Sequence, residues 1–106
     1  MKLLYCILCL FIISVYAQDG DSFQILFYQK PNYKVDAGII SGSVAVGGGA
    51  GAKSGNMSVG SFKTESFLQV TLYTEKYYQG QTYVYKGSQK KISPAVHVGS
   101  VKWKHL

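Results

Sequence analysis

The sequence predicts an all-β domain of the sandwich or barrel type, and three observations support this fold class. Short segments rich in β-branched and aromatic residues are separated by glycine, proline and asparagine, which is typical of strands joined by tight turns. No segment after the first 17 residues shows the 3.6-residue apolar period of an amphipathic helix. Two halves of the chain also repeat one spacing of tyrosine and serine, which indicates a duplicated β motif.

The first 17 residues predict a secretory signal peptide. Lys2 supplies a short positive start, Leu3 to Ile13 form an apolar run, and the segment ending at Ala17 matches a cleavage site. This run is shorter than the ~20 residues of a membrane-spanning helix, so an uncleaved anchor is the disfavoured alternative. We therefore expect a secreted, extracellular protein whose mature part, residues 18–106, forms one domain.

The amino-acid composition limits the classes of molecule that the protein is expected to bind. Both cysteines, Cys6 and Cys9, lie in the predicted leader, so the mature domain is expected to have no disulfide. The chain has 11 lysines, no arginine and 5 acidic residues, with a net charge of +6. Because arginine makes the bidentate contacts to phosphate and guanine, its absence argues against nucleic-acid recognition. The lysines are compatible with an acidic polysaccharide or cell-surface component as partner, and the alternative is a charged surface that only keeps the protein in solution. No later segment is apolar enough for stable membrane insertion.

The first half of the mature chain contains strands and one glycine-rich segment. Residues 23–29 predict a strand that ends at a Pro-Asn turn. Residues 35–46 predict one or two short strands, because Gly38 and Gly42 interrupt them. Residues 47–56, GGGAGAKSGN, are predicted to form a flexible loop before a further strand begins.

The second half predicts three strands, at residues 67–74, 81–87 and 98–106. Side chains alternate between the two faces of a strand, so one face of each segment is expected to be buried. The predicted core positions are apolar residues from both halves: Ile25, Phe27, Val44, Val46, Val59, Phe62, Val70, Leu72, Val84, Val98, Val101 and Trp103.

The internal repeat aligns two sets of residues along nearly the whole mature chain. The aligned pairs are Tyr28 with Tyr73, Tyr33 with Tyr78, Val35 with Gly80, and Ser61 with Ser100. Each serine lies in a matching segment, SVGSFK in the first half and HVGSVK in the second. Two copies in register indicate that the mature chain consists of two similar motifs.

These residues resemble the Greek-key motif of the βγ-crystallin family, in which two spaced aromatic residues precede a glycine and, later, a serine. The resemblance implies two motifs, about 23–66 and 67–106, in a sandwich of two four-stranded sheets. In such a hairpin the glycine supplies φ > 0, and the serine hydroxyl ties the hairpin to the last strand of the motif. Because Val35 takes the position that Gly80 has in the second motif, the first hairpin is expected to be strained, reshaped or shifted towards Gly38.

The segment GGGAGAKS, residues 47–54, almost matches a phosphate-binding loop. Ala52 replaces the required second glycine, and the residues that follow are poor helix formers. A phosphate loop needs its main-chain N–H groups at the start of a helix. We therefore predict no nucleotide site.

The resemblance also raises calcium binding, because many βγ-crystallin domains bind this ion just before the last strand of a motif. The positions concerned include Asn56, Ser58, Gly60 and Gly99. Only Asn56 matches an acidic or amide position of the family's pattern, and Gly60 and Gly99 replace the hydroxyl ligand. Since calcium affinity depends on the number of oxygen ligands, we expect no metal and no other cofactor.

Two further site types were weighed on the sequence. Asn56 begins an Asn-Met-Ser sequon, a candidate glycosylation site if the source is a eukaryote and otherwise an unmodified loop residue. His97 and His105 are eight residues apart with no third metal ligand in view. No Ser-His-Asp or paired-carboxylate arrangement is evident, so we predict that the protein is not an enzyme.

The aromatic residues suggest a binding surface. Tyr77, Tyr83, Tyr85 and Trp103, combined with lysine, are a candidate surface for stacking on sugar rings, with core packing as the alternative. We therefore predict a non-enzymatic structural or binding protein of the extracellular space. Similar exported crystallin-like proteins include killer toxins and antifungal proteins. An antimicrobial effector acting on an acidic or glycan cell surface is thus the alternative.

Overall fold

The computed structural model describes residues 20–106, apart from the side chains of residues 52–54, so the predicted signal peptide lies outside the described residues. The strands are β1 (Asp21–Lys30), β2 (Lys34–Val44), β3 (Gly49–Val59), β4 (Ser61–Lys63), β5 (Leu68–Glu75), β6 (Gln79–Lys86) and β7 (Val96–His105). They form two antiparallel sheets, ordered β2-β1-β4 and β3-β7-β5-β6.

The strand order is that of interlocked Greek keys. Strand β3 belongs to the first motif but pairs with β7, the last strand of the second motif. The other three strands of the first motif stay together in their own sheet. The exchange joins the two motifs across the sandwich, and the all-β Greek-key prediction is confirmed.

The prediction of two four-stranded sheets needs one correction, because the sheet β2-β1-β4 has three strands. In place of a fourth strand, Gln89 makes a single bridge to Phe62. The N–H of Phe62 donates to the Gln89 carbonyl at 3.0 Å, and the N–H of Gln89 donates to the Phe62 carbonyl at 2.9 Å. The N–H of Ile92 also donates to the Gly60 carbonyl at 2.8 Å, but residues 90–95 form a loop and not a strand.

The core follows the period-2 pattern of the inward strand faces. Alternate residues of β1 and β5 are buried, and they pack with residues of the other strands and one loop: Phe23, Ile25, Phe27, Ile40, Val44, Val59, Phe62, Leu68, Val70, Leu72, Ile92, Val96, Val98 and Val101. Trp103 is only partly buried against this cluster.

Two predicted core residues were wrong. Val46 is 76% exposed, because it lies in the turn between β2 and β3. Val84 is 56% exposed, because the inward face of β6 is occupied by its neighbours Tyr83 and Tyr85. The alternation of side chains correctly placed Val84 on the opposite face of β6 from these tyrosines. The prediction buried the face with Val84, whereas the structure buries the face with the tyrosines.

The glycine-rich segment is also corrected, from a loop to a strand. Gly47 forms a turn with φ 76°, and β3 begins at Gly49, so a strand follows where a phosphate loop needs a helix. A β-carbon at Gly51 would lie 2.6 Å from Lys102 Cγ and 2.9 Å from Lys102 Cα. Glycine therefore lets β3 approach β7 closely. The segment has little intrinsic strand propensity, and its pairing with β7 is what makes it a strand.

Candidate functional site

Ser61 ties the first folded hairpin to the sheet. Its buried hydroxyl donates to the Lys30 carbonyl at 2.6 Å and accepts from the Tyr33 N–H at 3.0 Å. The rings of Tyr28 and Tyr33 meet edge to face, with centroids 5.7 Å apart. The serine thus satisfies two main-chain groups of the turn while the tyrosine pair packs beside it.

Ser100 does the same for the second hairpin. Its hydroxyl donates to the Glu75 carbonyl at 2.7 Å and accepts from the Tyr78 N–H at 2.9 Å. The rings of Tyr73 and Tyr78 are 5.6 Å apart, again edge to face. The repeated residues therefore occupy equivalent places in the two motifs.

The two motifs differ in the chemistry of their glycine position. Gly80 has φ 82°, and Val35 at the equivalent position has φ 62°. Gly38 pairs with Phe27 inside the sheet, so the first hairpin has not shifted towards it. The first hairpin keeps its shape, with the β-branched Val35 in the left-handed region of backbone conformation. Of the three expected outcomes, strained, reshaped or shifted, the structure therefore shows the strained hairpin.

The residues of the calcium pattern leave little room for the missing ligands. A β-carbon at Gly60 would lie 2.6 Å from the Gln29 carbonyl oxygen, and one at Gly99 would lie 2.8 Å from that of Glu75. Asn56 and Ser58 are exposed on β3. Within the described part of the chain, no three His, Cys, Asp or Glu residues are grouped to hold a metal ion. The absence of calcium binding stays a prediction.

The four aromatic residues proposed as one surface lie in different places. Tyr77 is 80% exposed at a hairpin turn. Tyr83 and Tyr85 face inward from β6, and burial, followed by the charge of Tyr83, raises the pKa of the Tyr85 phenol. Trp103 also faces inward, with its ring 5.6 Å from that of Phe23. The structure therefore does not assemble these residues into one platform.

The outer face of the sheet β3-β7-β5-β6 carries a site that the sequence reasoning missed. Gln69 on β5 lies directly between Lys86 on β6 and Lys104 on β7. Thr71, two residues along β5, lies opposite Lys102. Opposite residues of an antiparallel pair project from the same face. We call these five residues the lysine face, and all three of its lysines are exposed.

An open cavity of about 440 Å³ lies on this face. Gln69 and Thr71 line one side, and the residues from Lys102 to Lys104 lie beneath it. The opposite side is lined by Gly47 and the start of β3, Gly49 to Gly51. The volume falls in the range of ordinary ligand pockets, ~300–1,000 Å³.

The second hairpin positions Lys102. The Nζ atom of Lys102 lies 4.5 Å from the ring centroid of Tyr78 and 5.8 Å from that of Tyr73. The Tyr78 hydroxyl donates to the Gly51 carbonyl, which joins the hairpin to the edge of the cavity. The negative face of an aromatic ring attracts the ammonium and so orients the lysine side chain.

Among the described residues, no carboxylate side chain balances the charge of the lysine face. The described carboxylates, Asp21, Asp36, Glu65 and Glu75, do not line the cavity. Within the described residues, the ion pair at 4 Å or less joins Asp21 to His105 and includes no lysine of this face. Adjacent like charges repel, so an anion that bridges them gains electrostatic energy on binding.

His105 joins the last strand to the first. Its Nδ1 lies 2.8 Å from the main-chain oxygen of Leu106, and its Nε2 lies 2.7 Å from the Asp21 carboxylate. The buried ring stacks on Phe67 with centroids 4.5 Å apart. Because both facing oxygens are acceptors, the ring donates from both nitrogens when protonated. The hydrogen bond to Asp21, then that to Leu106, raises the pKa of His105.

No family model and no curated protein matches the chain. Among solved structures, a mutant betagamma-crystallin domain from Clostridium beijerinckii is similar, with 18% sequence identity and a TM-score of 0.52. The match covers 76% of this chain and 95% of that domain. Within residues 20–106, no helix has the length and apolarity to cross a membrane.

Proposed function

We propose that this chain, which has the fold of a βγ-crystallin domain, is a secreted, non-enzymatic binding protein of the extracellular space with an acidic polysaccharide as its partner. One observation carries the proposal: three exposed lysines converge on one sheet face, and no described carboxylate lines the cavity between the strands there. A polymer with regularly spaced negative charges would contact several of these lysines at once.

The internal repeat supplies a comparison within the molecule. In the first motif, the positions equivalent to Lys86, Lys102 and Lys104 are Ser41, Lys63 and Glu65. Thr71 is likewise replaced by Leu26, which pairs with Lys63 as Thr71 pairs with Lys102. The first motif therefore has the same fold without three lysines at these positions. Two of the three lysines belong to the second motif alone, which supports a role in binding rather than in folding.

The expected affinity gain is moderate and depends on salt. An exposed ionic contact contributes roughly 0.2–1 kcal/mol, so three contacts account for up to about 100-fold in Kd. Exposed charges are screened over a Debye length of about 8 Å at physiological ionic strength. Binding is therefore expected to weaken as salt rises.

Chromatography of residues 18–106 on immobilised heparin tests the proposal. The variant Lys86→Gln/Lys102→Gln/Lys104→Gln should elute at clearly lower salt than the wild type. The matched control, Lys34→Gln/Lys90→Gln/Lys91→Gln, removes the same charge from exposed lysines elsewhere and should elute close to the wild type. Equal losses in the two variants would show that net charge alone causes retention, and the proposed site would be rejected.

Secretion needs a separate experiment. When the full chain is expressed in a secreting host, the protein in the medium is expected to begin at Gln18. Retention in the cell with an intact N-terminus would reject the secreted assignment.

A further inference from the structure

We infer that the cavity on the lysine face is a subsite for one carboxylated or sulfated sugar unit of the polysaccharide. The inference rests on the proposed function and deepens it, because it assigns the recognition of the sugar to uncharged residues beside the lysines. The lysines attract any polyanion, whereas Gln69 and Thr71 select one that also carries hydroxyl groups.

The cavity presents cationic and neutral polar groups in pairs. Lys104 lies opposite Gln69, and Lys102 lies opposite Thr71, each across one strand pair. Opposite side chains begin about 4.5–5.5 Å apart, and consecutive pairs on one face are about 7 Å apart. A sugar acid has its charged substituent next to ring hydroxyls within such distances. The Gln69 amide and the Thr71 hydroxyl both donate and accept hydrogen bonds, as sugar hydroxyls require.

Glycine on β3 shapes the remaining side of the cavity. A β-carbon at Gly49 would lie 2.9 Å from the Trp103 carbonyl oxygen, and one at Gly51 would lie 2.6 Å from Lys102 Cγ. Larger residues at these positions would displace the lysine stems and fill the cavity. The segment predicted as a loop is therefore a bare strand wall, over which a sugar ring could lie.

Lys102 is the better-positioned of the two cavity lysines. The Tyr78 ring lies 4.5 Å below its ammonium, and the Tyr78 N–H is itself bonded to Ser100. An ordered side chain loses less conformational entropy on binding than a free one. Tyr78 therefore acts as a positioning residue, which links the duplicated hairpin motif to the ligand site.

The lining favours a sugar over other polyanions. The Trp103 ring faces inward against Phe23, so the floor of the cavity offers no outward indole for stacking bases. Lys102 covers the rings of Tyr73 and Tyr78, which removes the stacking surface that single-stranded nucleic acids use. A concave surface that carries two lysines is also unlike the protruding apolar face that enters a lipid interface.

The test compares two probes, a sulfated heparin-derived oligosaccharide and inorganic polyphosphate of similar charge. The variant Gln69→Leu/Thr71→Val keeps side-chain size and removes the neutral hydrogen bonds. It should weaken oligosaccharide binding about tenfold and leave polyphosphate binding within about twofold. The control Gln24→Leu changes the residue equivalent to Gln69 in the first motif and should affect neither probe. Circular dichroism melts establish that each variant is folded.

The outcomes separate this inference from the proposed function. If the variant Lys86→Gln/Lys102→Gln/Lys104→Gln loses both probes but Gln69→Leu/Thr71→Val loses neither, the sugar subsite is rejected and the lysine face is retained. Equal weakening of both probes by Gln69→Leu/Thr71→Val also rejects the subsite. A wild-type protein that binds neither probe would overturn both proposals.

Discussion

Replacing Ser100 by alanine should destabilise the domain by about 2–4 kcal/mol. The buried hydroxyl donates to the Glu75 carbonyl at 2.7 Å and accepts from the Tyr78 N–H at 2.9 Å. The substitution leaves two main-chain groups of the hairpin without these partners, and an unsatisfied buried polar group costs about 1–3 kcal/mol. In a domain of this size, such a loss lowers Tm by about 8–30 °C.

Thermal and urea unfolding of residues 18–106 measure this effect. Ser61→Ala should cause a similar loss, because Ser61 makes the equivalent two hydrogen bonds in the first motif. Ser58→Ala, at an exposed strand position, is the control and should change Tm by less than about 2 °C. A Ser100→Ala protein that melts with the wild type would refute the claim that the serine ties stabilise the hairpins.

The remaining predictions concern the backbone, pH and calcium. Gly80→Ala should destabilise the domain by at least about 2 kcal/mol in urea unfolding, because Gly80 has φ 82° and a β-carbon would contact Thr74 and Glu75; Gly55→Ala, which meets nothing within 4 Å, is the control. Because the folded-state pKa of His105 is raised above 6.5, its stabilising contribution is complete below that pH and is lost as pH rises through the raised pKa. Melts from pH 5.5 to 8.5 should therefore show a decline that His105→Gln removes, and an unchanged slope would contradict the pairing with Asp21. Melts in millimolar calcium and in chelator should coincide, whereas a clear rise with calcium would mean that the ligand loops bind it.

The serine ties could be predicted because the aromatic, glycine and serine pattern of the resemblance specifies them in each motif. The hydroxyls of Ser61 and Ser100 bond main-chain groups of their hairpins that are 22–31 residues away in the sequence. The effect of Val35 on the first hairpin could not be predicted, because the sequence alone does not show whether the hairpin tolerates a strained residue or changes its shape. Here it is tolerated, with φ 62°.

Features that depend on pairing between distant strands could not be predicted in the same way. The segment from Gly49 has little strand propensity, and it becomes β3 because β7 supplies its partner. Alternation placed Val84 and Tyr85 on opposite faces, but only packing decides which face is buried. Lys86 and Lys104 are 18 residues apart in the sequence and are brought together by the register of Gln69. The alternation of Lys102 and Lys104 with Val101 and Trp103 was the one sequence signal that pointed to this face.

The most direct test of the central claim is a titration of isotopically labelled residues 18–106 with the sulfated oligosaccharide, followed by amide NMR shifts. If the lysine face is the binding site, the largest shifts should lie on β3, β5, β6 and β7, at Gly49, Gly51, Gln69, Thr71, Lys86 and Lys102 to Lys104. Shifts confined to another part of the surface, such as the loop from Ser88 to Ala95, or no shifts at all, would contradict the account.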